Sequence, residues 1–583
     1  MGKAFYNNKN MHRGSNNNKQ TRTISQDFYN PYSFVPLSPR LCFLDKDEES
    51  MLKQVQDIPF ENGLSGEIKV YFEALSPFCV RSSNGQSVNL DEHYFVPGTS
   101  LKGMIRSVFE IVTLSNIRNG IANKRYSMRD LSKDSPYELK SKEHPQKSGF
   151  LVQIKGQLYV IQCESTAYPY YDKNNHEDIE TYAIFKKEKD NRDLKNANTI
   201  SKKYELLETP FVDYEDGGKG MWFFSGFMNN KKHEYLFEIP DIDERQLVPF
   251  NEKEYDDFIF IHEKENENES WKFWKHKLKN YNSLNDVIND DYKGIVPCFF
   301  RTQKKTDTNG CQYDCVKDLG FAFLYRQPYD KTIHDFLPEE YNNDAIDLAQ
   351  SVFGYVKRND ALKGRIQFGN SFIENPSFES SQTFILGSPK PTYYPFYLEQ
   401  NNPNKLLTYF SQNTHISGYK RYLQQSNAKQ GNTPYSKVTT TFVPLKSGTK
   451  FCATIRFHNL RNYELGALLS AISFCGHAEC YHSLGYAKPY GYGKIKVSDI
   501  SMKCDDLQNV DLVEYRNCFY NYICRKCGFK TSEDYLKSLD MLFHIASDQY
   551  SPAKEIRYPN MQGKEFDTIK NNKLSLRHFS PKK

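Results

Sequence analysis

Phe95-Val-Pro-Gly-Thr-Ser-Leu-Lys-Gly-Met-Ile-Arg-Ser-Val-Phe-Glu110 runs a Pro-Gly turn into an amphipathic helix. From Leu101 the apolar residues fall at Leu101, Met104, Ile105, Val108, Ile111 and Val112, the spacing of one helical face. Lys102 and Arg106, four apart, share another face. Thr99 or Ser100 is expected to cap the helix, leaving N-terminal amides to receive a phosphate oxygen. The plainer reading is a surface helix with two solvated cations. Far downstream, Leu484-Gly-Tyr-Ala-Lys-Pro-Tyr-Gly-Tyr-Gly-Lys-Ile-Lys-Val497 sets glycine, tyrosine and lysine in a loop that passes into a strand. Glycines let a backbone approach phosphates, lysines neutralise charge and tyrosines stack on bases.

Between these ends the pattern is that of one interrupted domain. Leu64 to Tyr71 alternates Leu64, Gly66, Ile68 and Val70 against Ser65, Glu67 and Lys69, a strand with one buried face. Phe451 to Phe457 alternates likewise. Glu464 to Phe474, with Leu465, Leu468, Leu469 and Ile472, makes a second helix. The order strand, helix, insertion, strand, projecting hairpin, strand, helix, strand is that of an α+β, ferredoxin-like (RRM-like) core. The expected boundaries are a disordered tail over 1–25, a first half-core over 26–120, an inserted domain over 121–344 and a second half-core over 345–500. A thumb-like hairpin is expected within the latter at 380–445, and a C-terminal helical extension over 501–583.

The insertion mixes charged stretches such as Lys186–Asp193 with strand-like runs at Gly149–Ile154 and Gln157–Ile161, and apolar material at Trp222–Phe227 and Cys298–Phe300. A structureless loop of that length is improbable, so a folded, β-rich module is expected. Phe28 to Leu37 is too proline-rich for a helix or central strand and reads as an extended segment pinned by aromatics. Near the end, a helix is expected to start at Thr531 or Ser532, with Leu536, Leu539, Leu542 and Phe543 on one side.

The chain resembles the RAMP superfamily, the backbone subunits of type III CRISPR effector complexes. The Pro-Gly-Thr-Ser-Leu-Lys-Gly-x-x-Arg run from Pro97 to Arg106 and the Gly-Tyr-Gly-Lys loop carry the resemblance. Val352-Phe-Gly-Tyr355 and Leu362-Lys-Gly-Arg-Ile-Gln-Phe368 also look like family segments leading into the second strand. The resemblance implies RNA contacts at Gly98, Thr99, Ser100, Lys102, Arg106, Lys363, Arg365, Lys420, Arg421, Lys488, Tyr490, Tyr492 and Lys494. It implies guide RNA, target RNA, other RAMP subunits and a large polymerase-like subunit as partners. Catalytic members of the family cut target RNA with an aspartate between the first strand and first helix, aligning a ribose 2′-OH for in-line attack. Here the position falls to Asp91, beside Glu92 and His93 and closer to Pro97-Gly98 than the family pattern has it. A divalent cation is the cofactor such cleavage would take.

Composition is compatible with this. Lys+Arg is 77 against Asp+Glu 72, so the net charge of +5 excludes a generic polycation and leaves affinity to local arrangement. A mean hydropathy of −0.72 and the lack of any ~20-residue apolar run argue against a membrane span. The N-terminus lacks signal-peptide order, and 13 cysteines, an odd number, fit a reducing cytoplasm better than a disulfide framework. Two Cys/His clusters invite a structural zinc reading, against thiols and imidazoles that are simply packed: Cys475, His477, Cys480 and His482, and Cys524-x2-Cys527 with Cys518 upstream. Two rival functions remain open at this point. One is a stand-alone guide-RNA-processing endoribonuclease using a histidine such as His93, His415, His458 or His482. The other is an RNA-binding module unrelated to CRISPR.

Overall fold

The computed structural model describes the chain except for residues 1–27, 55–58, 81–85, 122, 130, 132–134, 170–196, 198, 208, 215–216, 227–232, 242–246, 266–267, 358–359, 387–393, 401–405, 433–438, 505–510, 549–554, 560–564, 573 and 575–583. The expected disordered tail and the charged stretch Lys186–Asp193 lie outside the described residues. The chain divides into two compact units, 1–116 with 343–406 and 417–583, and 117–342 with 407–416.

The first unit is built on β1 (Leu64–Ala74), α1 (Gly98–Val112), β2 (Ile366–Phe368), β3 (Lys450–Leu460), α2 (Asn462–Ser473) and β4 (Lys494–Cys504). The strands lie in the order β2-β3-β1-β4, with His482–Ser483 added on the β4 edge, and every neighbouring pair is antiparallel. The alternation in β1 and β3 puts Ile68, Val70, Phe72, Phe451, Ala453, Ile455 and Phe457 on one face, all buried. Leu101, Ile105 and Val108 of α1 and Leu465, Leu468 and Ile472 of α2 share that core cluster. Lys69, Tyr71 and Arg456 stand exposed on the opposite face. Sequence reading missed α3 (Leu512–Cys527), which packs on α2 so closely that a Cβ on Gly466 would lie 1.9 Å from the Tyr515 carbonyl oxygen. The expected C-terminal helix breaks in two, Ser532–Lys537 capped by Thr531, then Asp540–Ala546.

Phe28–Tyr29 and Tyr32–Val35 are extended, as the prolines dictate. Tyr32–Val35 pairs with Tyr419–Tyr422, and Phe28, Tyr32 and Phe34 are buried. In the region read as a thumb, the described strands Gln382–Ile385 and Thr439–Phe442 pair antiparallel.

Among the described residues the second unit has two larger sheets and a two-stranded pairing of Ser127–Met128 with Gln327–Pro328. Of the larger sheets, one orders Leu247–Phe250, Gln157–Cys163, Lys147–Ile154, Val296–Thr306 and Gln312–Gly320. The other orders Phe211–Asp213, Lys219–Phe223, His233–Ile239 and Ser165–Pro169. They share an aromatic core in which Phe223 stacks on Phe237 at 5.0 Å and meets Phe299 edge-on at 5.3 Å. Buried pairs Lys203–Glu234 and Arg301–Asp318 are fully compensated, Tyr325 donating a further bond to Asp318.

A buried ion pair organises the first unit. Arg365, just before β2, donates through Nη1 to Glu464 Oε2 at 2.9 Å and to the Asn459 carbonyl at 2.6 Å, and through Nε and Nη2 to the Ser351 carbonyl. Glu464, in the first turn of α2, also accepts from the Arg461 guanidinium at 3.0 Å and the Ser351 hydroxyl at 3.1 Å. Burial pushes the Glu464 carboxyl up, but Arg365 and Arg461 outweigh it and hold the group at about 2, below its ordinary 4.5. A depressed carboxylate adds stability that is fully present above about pH 4.5 and is lost as pH falls through 4.5 toward 2. Glu464→Gln, which strands two guanidiniums, is expected to cost about 3–5 kcal/mol at pH 7. In urea melts from pH 7 to 2, the gap between wild type and variant should narrow in that window; a gap independent of pH would show that the charge is not the source.

Candidate nucleic-acid interface

The start of α1 is held from within the protein. Pro97 is the N-cap residue and has no side-chain cap, so the expected capping by Thr99 or Ser100 is corrected: Asn370 Oδ1 accepts from the Gly98 amide at 3.0 Å, and the Pro97 carbonyl accepts from the amides of Ser100 and Leu101. A Cβ on Gly98 would lie 2.1 Å from the Phe368 carbonyl oxygen, so glycine is required here by the approach of α1 to the end of β2. Thr99 is exposed and Ser100 half-buried. Lys102 and Arg106 both lie beside the Phe353 ring, at 5.8 and 5.6 Å, and Arg106 bonds Glu110 at 2.7 Å. Burial, then Arg106, lowers the Lys102 pKa.

Gly103 differs from Gly98. It is exposed in the middle of α1, and a Cβ there would meet nothing within 4 Å. Glycine costs a helix interior roughly 0.5–1 kcal/mol relative to alanine, and nothing in the surrounding protein requires it. Sequence reading did not single it out, although a glycine inside a helical pattern was the available signal.

The glycine-rich loop is folded against its own unit. Gly493, at φ +78, would place a Cβ 1.9 Å from the Leu484 carbonyl oxygen, so its glycine serves the protein's backbone. Tyr490 stacks on Phe384 at 4.2 Å and donates to the Ile385 carbonyl. Tyr492 is buried and donates to the Lys429 carbonyl. Lys494 is buried against Asp548, with its ammonium 4.2 Å over Tyr481. With Arg365 in the core, these four side chains are occupied within the protein, whereas Lys363 is exposed.

The remaining cations gather. Arg421 donates to the Ser107 hydroxyl at 3.3 Å, which brings the Tyr419–Tyr422 strand beside α1. Lys488 donates to the Gly485 carbonyl at 2.8 Å and lies close enough to Arg421 to feel its charge. Burial brings Arg421 down to about 10, while burial and then Arg421 bring Lys488 down to about 8. Neither forms an ion pair with a carboxylate among the described residues. Lys420, on the alternate side of the strand, sits 4.0 Å over Tyr32 and 5.3 Å from Tyr397, and burial lowers it to about 8.

Asp91 and Glu92 form the tip of a hairpin between Asn89–Leu90 and His93–Val96, with φ of 49° and 63°. Two successive left-handed residues define a type I′ turn, in which aspartate is favoured. Asp91 is exposed there. The zinc expectation is corrected: among the described residues, no three His, Cys, Asp or Glu side chains gather to hold a metal. His482 is buried and bonds the Ile472 carbonyl, Cys480 bonds the Phe543 carbonyl, and His477 packs on the Phe543 ring. Cys518, Cys524 and Cys527 lie on one helix, α3.

These features define a mixed α and β protein in which a short strand sends Arg421 to Ser107 of α1 and the glycine-rich loop places Lys488 near Arg421, neither cation paired with a carboxylate among the described residues. It belongs to the RAMP superfamily, whose model matches residues 71–496. No curated protein matches the chain. Among solved structures it is similar to Csc2 of Thermofilum pendens, with 12% identity over 39% of this chain and 60% of that one and a TM-score of 0.13. It is also similar to a chain of Type III-B Cmr-beta bound to cognate target RNA, with 9% identity over 78% of this chain and 99% of that one and a TM-score of 0.17. At such scores the fold is argued from this chain's own strand order. Among the described residues, no helix is long and apolar enough to cross a membrane.

Gly103→Ala is expected to raise stability by about 0.5–1 kcal/mol. A loss of stability in a urea melt would mean that the helix is crowded at this point.

Proposed function

We propose that this chain is an RNA-binding backbone subunit of a type III CRISPR effector complex in the cytoplasm. Its βαββαβ sheet is read as a ferredoxin-like RAMP core that holds guide RNA and the guide–target duplex. Other RAMP subunits and a polymerase-like subunit are its partners. Membership of the superfamily supports the class, and one observation carries the RNA contact: Arg421 reaches α1 at Ser107, Lys488 lies near enough to Arg421 to feel its charge, both are partly desolvated, and among the described residues neither pairs with a carboxylate. Two such cations repel each other at a cost that an incoming phosphate relieves, and burial strengthens the attraction. Lys102 and Lys363 extend the positive surface, and the open space over Gly103 suits the close passage of a sugar-phosphate backbone. Base pairing, not these side chains, would carry sequence specificity.

Arg421→Gln with Lys488→Gln should weaken RNA retention and lower the salt dependence of binding by roughly one counterion for each lost contact. An unchanged slope in the folded double variant would remove both residues from the interface. Gly103→Ala, more stable as free protein, should bind RNA less well.

Cleavage is the finer part of the reading. Asp91, exposed at its turn, is the carboxylate proposed to align a ribose 2′-OH, and its effect belongs to the transition state more than to binding. Asp91→Asn suits the turn as well as aspartate does while removing the charge. In the assembled complex it is expected to abolish one target-RNA cut, leave guide and target binding intact and eliminate the 2′,3′-cyclic phosphate end. A wild-type cut pattern would make Asp91 a turn residue only. For the rival processing enzyme, His482 is poorly suited to acid–base work, since burial lowers it to about 4 and its Nε2 bonds the Ile472 carbonyl.

A further inference from the structure

Two thiols meet where the N-terminal segment crosses the end of α3. Cys42, 1% exposed, faces Cys527, the last residue of α3, which is partly exposed, and each thiol shifts the other's titration. The backbone is clamped on both sides of the pair. Arg40 Nη1 donates to the Gly528 carbonyl at 3.0 Å, and its guanidinium stands 4.5 Å over Phe529. Lys526 bonds Asp45 at 2.7 Å and Glu48 at 2.6 Å, and Glu48 also accepts from the hydroxyls of Tyr463 and Tyr522. The contact is therefore fixed by surrounding bonds and does not depend on the thiols alone.

We propose that Cys42 and Cys527 are a modification site, a thiol pair that a peroxide converts reversibly into a disulfide joining the N-terminal segment to α3. The two sulfurs are unequal in the way such chemistry needs. Cys42 lowers the Cys527 thiol, with Arg40 and Lys526 helping against burial, while Cys527 and burial push Cys42 well up. Cys527 is thus the more accessible, thiolate-prone member that meets the oxidant, and Cys42 the resolving member. The Cys527 sulfur takes one oxygen from hydrogen peroxide to become a sulfenic acid, and the first water leaves. The Cys42 sulfur then attacks the Cys527 sulfur; the S–O bond breaks, and its hydroxide departs with the Cys42 proton as the second water. Two thiols and one peroxide become one disulfide and two waters, the peroxide being reduced.

Cys524 lies one turn before Cys527 on the same helix, so a Cys524–Cys527 bond would constrain nothing beyond that turn. A Cys42–Cys527 bond would fasten the segment whose Tyr32–Val35 strand pairs with the Arg421 strand. This inference does not depend on RNA binding.

The test uses the full chain, reduced and then exposed to stoichiometric hydrogen peroxide, blocked with N-ethylmaleimide, digested and mapped by mass spectrometry. The expected result is a Cys42 peptide linked to a Cys527 peptide, reversed by dithiothreitol, with a higher Tm in the oxidised protein. In Cys42→Ala, Cys527 should instead be trapped by dimedone as sulfenic acid. Recovery of both wild-type thiols as maleimide adducts while exposed Cys311 is oxidised would overturn the proposal. So would a Cys524–Cys527 link in place of the Cys42–Cys527 one.

Discussion

The Arg365–Glu464 pair is the contact on which the first unit turns. An ion brought out of water loses several kcal/mol of hydration, so neither group is tolerable inside without the other. Here the compensation is complete, because the guanidinium also satisfies the Ser351 and Asn459 carbonyls and the carboxylate also takes Arg461. The bonds reach β2, the end of β3, the first turn of α2 and the helix Leu348–Phe353. Strand β2 is only three residues long and pairs with β3 alone through three ladder partners, which would hold it weakly; the ion pair fixes where it starts.

That placement propagates to the interface. The end of β2 supplies the Phe368 carbonyl against which Gly98 closes and is followed by Asn370, which caps α1. With α1 so placed, Ser107 receives Arg421, and the glycine-rich loop brings Lys488 to the same neighbourhood. A buried acid–base network thus sets the position of cations that, among the described residues, pair with no carboxylate. The two kinds of charge differ physically: those neutralised inside give rigidity, while the proposed RNA contact draws on cations that pair with no carboxylate among the described residues.

Much of the fold was legible because β1, β3, α1 and α2 each bury one face, and burial writes a period of two or of 3.6 into the sequence. Helix α3 carries the same signal in Tyr515, Phe519, Tyr522 and Ile523, but its three cysteines at short spacing overlay a metal-ligand pattern on it. The site was legible in part. Lys488 lies near Arg421, which itself reaches α1 at Ser107, whereas Arg365, Lys494, Tyr490 and Tyr492 share their Gly/Lys/Tyr contexts but face inward. Their partners Glu464, Asp548 and Phe384 are distant in sequence, and no local pattern announces them. Asp91 sits in a turn without glycine, so the hairpin left no signature either.

The central claim is that RNA runs over α1 between the Arg421 strand and the glycine-rich loop. Ultraviolet cross-linking of RNA co-purified with the full complex, followed by peptide mapping, tests it most directly. The account predicts adducts concentrated in peptides spanning Thr99–Ser107, Tyr419–Tyr422 and Tyr486–Lys488. Adducts confined to the 117–342 unit, with those three peptides unmodified, would contradict it.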